Sequence, residues 1–157
     1  DRRRPGHGLM SMGAVDVGTT SSSGEGGGRP VPRPSALTRP FWDACRVGRL
    51  TVQRCTRCQG YVFVPQEFCR HCRSTTLTWV ETAGTGRIVT YTVVWRPQTP
   101  AFTAPYVVAV VELDEGYQMI SNIVGSDAAG AAVGDRVRVR FVRVSEAVTL
   151  PCFELAA

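Results

Sequence analysis

The chain has 157 residues, 43% of them hydrophobic and 20% charged, and its 18 basic residues are all Arg, giving a formal net charge of +5. That length fits one modest core with a small module attached and excludes two large independent domains. No apolar run approaches the ~18 residues a membrane span needs, so a soluble, cytoplasmic protein without a membrane partner is expected. The positive balance would suit nucleic acid, an acidic protein face or the phosphates of a cofactor, and does not choose among them.

The chain opens DRRRPGHGLM without an initiator Met, and its early apolar residues (Leu9, Met10, Met12, Val15, Val17) are interrupted by Gly and Ser. No secretion signal is read there. The start suggests a processed end or a piece of a longer polypeptide. Residues 1–35 hold half of the glycines and the run TTSSSGEGGGRPVPRP, a composition that buries too little apolar surface to offset ordering entropy. A linker or tail is expected over 1–35.

Order should begin at SALTRPFWDACRVGRL. Pro40 suits a first helical turn, Phe41, Trp42, Ala44 and Cys45 form an apolar side, and Gly48 is placed to end a short helix over about 40–47. The alternation in LTVQRC then predicts a strand that delivers Cys55.

CTRCQGYVFVPQEFCRHC follows, a C-x2-C-x10-C-x2-C pattern whose four thiolates, Cys55, Cys58, Cys69 and Cys72, can converge tetrahedrally on one zinc ion. The intervening residues are expected to run out as Tyr61–Val64, turn at Pro65 and return to Cys69 as a hairpin. Gly60 is the residue expected to supply a positive φ in the first knuckle. A redox CxxC pair or disulfides are the competing readings. The first lacks a βαβ context, and the second an oxidising compartment. Four cysteine ligands fill the coordination sphere, so the metal would be structural and would not act as a Lewis acid. His71 reads as a solvent-facing knuckle residue, and Cys45 and Cys152 as buried small hydrophobes. Helix and ribbon together should occupy 36–80.

Beyond the ribbon, residues 81–157 read as strands. After AGTG, Ile88, Thr90, Thr92 and Val94 share one face and Val89, Tyr91, Val93 and Trp95 the other. PQTPAFTAP is a loop. PYVVAVVEL is a nearly continuous apolar strand, turned at Asp114-Glu115-Gly116 into YQMISNIVG. A Gly/Ala-rich link leads to RVRVRFVRV, whose phase inversion predicts a bulge near Phe141, and VTLPCFEL closes the sheet. The fold class expected is mainly β: a short N-terminal helix, a rubredoxin-like zinc ribbon and a five-stranded OB-fold barrel.

The order and spacing of PFWDACRVGRL, CTRC, CRHC, GTGRIVTYTVV, PYVVAVVELDEG, SNIVG and VGDRVRVRF resemble the zinc-ribbon plus OB-fold family filed as domain of unknown function thirty-five, over about 37–155. The resemblance implies a protein that is not itself catalytic and has no catalytic residues. It implies packing against a thiolase-superfamily enzyme acting on acyl-CoA, a thiolase or a thiolase-like aldolase of steroid side-chain degradation, in a hetero-oligomer. A fused or associated hotdog-fold hydratase is implied as well. Carried over residue by residue, the match covers Cys55, Cys58, Cys69 and Cys72 as zinc ligands. It also implies that the barrel presents a surface to the CoA moiety of a shared substrate.

A CoA surface needs cations and an apolar groove. Arg87, Arg96, Arg138 and Arg140 are the candidate cations, with Tyr91 and Trp95 to stack or line. The plainer reading makes the arginines a solvated strand face and the aromatics core. Phe41, Trp42, Tyr61, Phe63 and Phe68 exceed what a small module easily buries and are the candidate partner interface. An alternative is a single-stranded nucleic-acid binder, since ribbons and OB barrels both serve that role. Against it, residues from Ala36 onward carry 13 Arg to 10 Asp plus Glu, and the charges are interspersed.

Overall fold

A computed structural model describes residues 29–156; most of the expected tail over 1–35 lies outside these residues. Helix α1 spans Arg39–Arg46, and three strands follow in the ribbon: β1 Thr51–Cys55, β2 Tyr61–Val62 and β3 Leu77–Glu81. The barrel strands are β4 Thr85–Val94, β5 Tyr106–Leu113, β6 Gln118–Ile123, β7 Arg136–Arg143 and β8 Thr149–Leu155. None of the described helices is long and apolar enough to cross a membrane.

The helix is set as its residues dictate. Pro40 sits in the first turn, and Gly48 (φ 75°) ends it, with the Arg49 N–H returning to Ala44 O. Its buried side is Phe41, Ala44 and Cys45, and Phe41 and Cys45 join Leu50 and Val52 of the ribbon and Ile88, Val111, Leu113, Val137 and Phe153 of the barrel in one hydrophobic cluster. Ribbon and barrel therefore share a core.

In the ribbon, β1 is central, with β2 on one edge (Gln53↔Val62, Arg54↔Tyr61) and β3 on the other (Thr51↔Glu81 to Cys55↔Leu77). The expected hairpin through Pro65 does not form: β2 stops at Val62, and residues 63–68 run as bends. Gln53 explains why that loop is tolerated. Its buried side chain takes the Gln66 N–H at 2.7 Å and gives its own N–H to Gln66 O at 3.0 Å, standing in for a ladder partner.

The barrel closes in the order β4-β5-β6-β8-β7, antiparallel except where β6 meets β8, the topology of an OB fold. The apolar run of β5 curls around the barrel core: Val107, Ala109, Val111 and Leu113 point inward, and the residues between them are half-buried. Gly116 (φ 88°) makes the expected turn. The bulge lies elsewhere than expected. Pairing of β7 with β8 is unbroken from Val137↔Leu155 to Arg143↔Thr149, whereas β4 shifts register at Val89. The long first strand must bend to serve both halves of the barrel, and a bulge there supplies the bend. Phe141 and Val142 are both half-buried near the end of β7, which accounts for the inverted pattern.

Candidate metal centre and its surroundings

The two knuckles repeat one backbone device. Gln59 N–H bonds to Cys55 O (2.9 Å) as Arg73 N–H bonds to Cys69 O (2.8 Å), and Cys55 N–H bonds to Gly60 O (2.9 Å) as Cys69 N–H bonds to Ser74 O (2.7 Å). The positive φ of each knuckle falls on the residue after its second cysteine, Gln59 (63°) and Arg73 (60°), not on Gly60. Gly60 is needed for a different reason: a Cβ there would lie 2.7 Å from His71 Cδ2. The His71 ring lies against Gly60 and its Nε2–H donates to Tyr61 O at 3.1 Å, so the second knuckle is latched onto the exit of the first. His71 is thus engaged, not merely solvent-facing.

The four Sγ atoms lie within 4.8 Å of one another, with Cys55–Cys72 and Cys58–Cys69 each at 3.6 Å. Four sulfurs about 2.3 Å from one zinc ion stand about 3.8 Å apart in a regular tetrahedron, so the cluster fits zinc and is too wide for disulfides. No described cysteine is in a disulfide. Ionisation agrees. The Cys58 and Arg57 backbone groups favour a thiolate at Cys55 and bring it down to about 6 against the cost of its burial. The Gly60 backbone would lower Cys58 likewise, but desolvation and the neighbouring thiols push it up to about 12. Crowded thiols resist a second charge until a cation neutralises the set. Cys45 and Cys152 are buried as expected, and burial pushes the Cys45 thiol up to about 12.

The candidate CoA-binding residues do not form one group. Arg138 and Arg140 both hold Glu154, at 2.7 and 3.2 Å, and Arg138 draws that carboxyl below its usual range. Arg87 pairs with Glu112 at 3.4 Å. Tyr91, Trp95 and Arg96 are exposed at the far end of β4 and just beyond it.

Four of the five aromatic candidates, Phe41, Trp42, Tyr61 and Phe63, converge. Phe41 packs on Trp42 (5.0 Å) and Phe63 (5.8 Å), and Phe63 and Tyr61 each lie 5.9 Å from Tyr117 of the barrel. Phe41 is only 5% exposed and serves as backing, whereas Phe68 is 51% exposed. An open apolar groove of about 740 Å³ runs from Trp42, Phe63 and Val64 to Ile120, Leu150 and Pro151 on the outside of the barrel. Ile120, 71% exposed, lies in this groove and was missed in the sequence. Only its place opposite Val110 on the outer face, visible once β5 and β6 are in register, identifies it.

Two family models match the chain: the ChsH2 rubredoxin-like zinc ribbon domain over residues 42–78 and the ChsH2 C-terminal OB-fold domain over residues 79–142. A DUF35 domain-containing scaffold protein of Methanothermobacter thermautotrophicus is 39% identical over 62% of this chain and 74% of its own length. The chain belongs to the ChsH2/DUF35 family. A solved structure, the Ltp2-ChsH2(DUF35) aldolase, superposes with a TM-score of 0.74 at 35% identity, covering 81% of this chain and all of that one. A probable enoyl-CoA hydratase alpha subunit of Thermomonospora curvata is 40% identical over 80% of this chain. The 3-oxo-4,17-pregnadiene-20-carboxyl-CoA hydratase alpha subunit of Mycobacterium tuberculosis is 30% identical over 69% of it. The chain spans only 40% and 37% of those two proteins.

Proposed function

We propose that this family member is a non-catalytic accessory module that assembles with a thiolase-superfamily enzyme acting on acyl-CoA, a thiolase-like aldolase of steroid side-chain degradation being the preferred partner. The observation that carries this reading is the match, along the whole of its length, to the DUF35 chain named with an aldolase. The names of the two hydratase relatives support a hotdog-fold hydratase fused to or associated with the module, and a CoA-linked substrate passed between the enzymes. The site chemistry supports the non-catalytic part. Four sulfurs leave a zinc ion no open position, and His71, the one histidine among the described residues, is committed to Tyr61 O.

In this reading the tail over 1–35 links, 36–80 forms helix and ribbon, and 81–157 forms the barrel, the last two folding as one unit around their shared core. Trp42, Tyr61, Phe63 and Phe68, with Phe41 behind them, are the partner surface, extended by Ile120. Contact of Arg87, Tyr91, Trp95, Arg96, Arg138 or Arg140 with CoA would have to form in the complex. Nucleic-acid binding is disfavoured because the strand arginines are already held by carboxylates.

The test is co-expression of the tagged chain with thiolase-like aldolases and thiolases, with mass spectrometry of what is retained. Retention of such an enzyme, lost on replacing Phe68 or Ile120 by Asp, and carbon–carbon cleavage seen only in the mixture, are the expected results. Turnover by the chain alone, or failure of a zinc-loaded chain to retain any thiolase-superfamily protein, rejects the proposal.

A further inference from the structure

The strand that begins the barrel is covered on both sides for only part of its length. On one side β4 pairs with β5 from Gly86 to Val94. On the other, β7 covers Thr85 to Arg87, and Ile88 adds two bonds, its N–H to Asp135 O (3.0 Å) and its carbonyl accepting from Gly134 N–H (2.8 Å). Beyond Ile88, no described backbone group pairs with that edge.

The ladder's alternation identifies the groups left there. Ile88 faces the β7 side, and the shift at Val89 resets the phase. Thr90, Thr92 and Val94 then direct their backbone groups to β5, opposite Val110, Val108 and Tyr106, and Tyr91 and Val93 direct theirs outward. Edges of this kind are ordinarily guarded by Lys, Pro or a bulge. From Thr90 the sequence reads TYTVVW, with neither charge nor proline. Large exposed apolar side chains frame it: Trp95 (69%) at one end and Val133 (64%), next to the Gly134 that bonds Ile88, at the other.

We propose that a second copy of this chain pairs here, β4 against β4, antiparallel about a two-fold axis at Thr92. The edge is its own complement. Tyr91 falls opposite Val93 of the second copy, and each such pair exchanges two backbone hydrogen bonds, four in all. Thr92 meets its own counterpart, and Thr90 meets Val94 of the second copy. Aromatic with β-branched and Thr with Thr are favourable cross-strand pairs, and no like charges meet. One step further out, Trp95 of the second copy lies across from Val89, beside Val133, so the framing apolar groups cover one another. The pairing ends where Arg96 of the second copy comes opposite Ile88, whose backbone partner is the acidic Asp135, and the two-fold axis repeats this at the other end. Such an interface is small, below about 1,000 Å², in the weak or transient class, so the concentrations to probe run on the order of micromolar to hundreds of micromolar.

Sedimentation velocity on the zinc-loaded full chain, from about 1 to about 300 µM, brackets that range. The wild type should move toward twice the monomer mass. Thr92→Lys, which sets two like charges face to face on the axis, should weaken association at least about tenfold. An equimolar mixture of Thr92→Lys with Thr92→Glu should associate again. Tyr91→Pro, which removes an outward N–H and leaves the β4–β5 ladder its bonds, should be monomeric with an unchanged circular dichroism spectrum. A wild type monomeric throughout, a Thr92→Lys chain that associates as the wild type does, or a mixed pair no tighter than Thr92→Lys alone each overturns the proposal. No partner enzyme is present in these measurements, so their outcome is independent of the proposed function.

Discussion

Replacing Gly60 by Ala isolates the latch between the two knuckles. The backbone at Gly60 is not in the left-handed region, so an alanine fits its φ and, taken alone, would stabilise by about 0.4–1 kcal/mol through the unfolded chain. The obstacle is His71. The new Cβ would stand 2.7 Å from Cδ2 and 3.3 Å from both Cγ and Nε2, so the ring must turn away and surrender its bond to Tyr61 O. A hydrogen bond of that kind contributes about 1 kcal/mol, and overpacking adds about 1 kcal/mol or more, so a net loss of about 1–2 kcal/mol is expected. For a domain of this size that lowers Tm by roughly 4–8 °C. His71→Ala should by itself lose about 1 kcal/mol. In the His71→Ala background the sign reverses: with no ring to meet, Gly60→Ala should be neutral or stabilising. Thermal melts of the four proteins close the cycle, and zinc transfer to a chromogenic chelator should be faster only where the latch is broken. An equal penalty for Gly60→Ala with and without His71 would refute the reasoning, because the cost would then belong to the backbone and not to the ring.

Cys58→Ser should drop bound zinc from one equivalent per chain to well below it, measured by elemental analysis, and unfold residues around the ribbon, since binding energy at such sites is folding energy. A variant with full zinc and wild-type exchange protection contradicts the ligand assignment. Asp114 tests the barrel: Arg136 at 2.7 Å, together with the Thr85 hydroxyl, holds its carboxyl well below the usual carboxylate range. A depressed folded-state value means stability is present above the ordinary carboxylate range and lost as pH falls through it. The wild type should therefore lose more stability than Asp114→Asn between about pH 5 and pH 2. The difference between the two melting curves is the readout, because zinc thiolates protonate in both proteins. Parallel curves would show that the ion pair contributes nothing.

Local chemistry was legible in the sequence and long-range chemistry was not. The spacing of Cys55, Cys58, Cys69 and Cys72 fixed the cluster because four thiols on two knuckles have one compact solution. Pro40 and Gly48 bounded the helix, and Gly116 placed the hairpin turn. Gln53 defeated the pattern: a polar residue on a strand reads as solvent-facing, but here it is buried to bond the Gln66 backbone 13 residues away. The arginines of β7 show the same limit. Alternation puts Arg138 and Arg140 on an outer face, yet only the β7–β8 register shows that Glu154 lies between them. A change of phase along β7 marks no bulge, and the bulge occurs in β4 where the barrel must bend.

The shared core decides what the metal does for the barrel. Tyr61 and Phe63 leave the first knuckle and pack on Tyr117, which sits just after the β5–β6 turn, and Phe63 reaches Phe41 on the helix. Gln53 ties the following loop to β1, and Val52 of that strand lies in the barrel's own cluster. A zinc ion closing the knuckles would therefore also fix the wall of the groove that ends at Ile120, since Phe63, Val64 and Pro65 form one side of it. A ribbon that merely decorated a self-sufficient barrel would keep its aromatics to itself. Here they are spent on the seam, so the surface offered to a partner is shaped by both pieces, and loss of the metal should loosen that surface before it melts the five barrel strands.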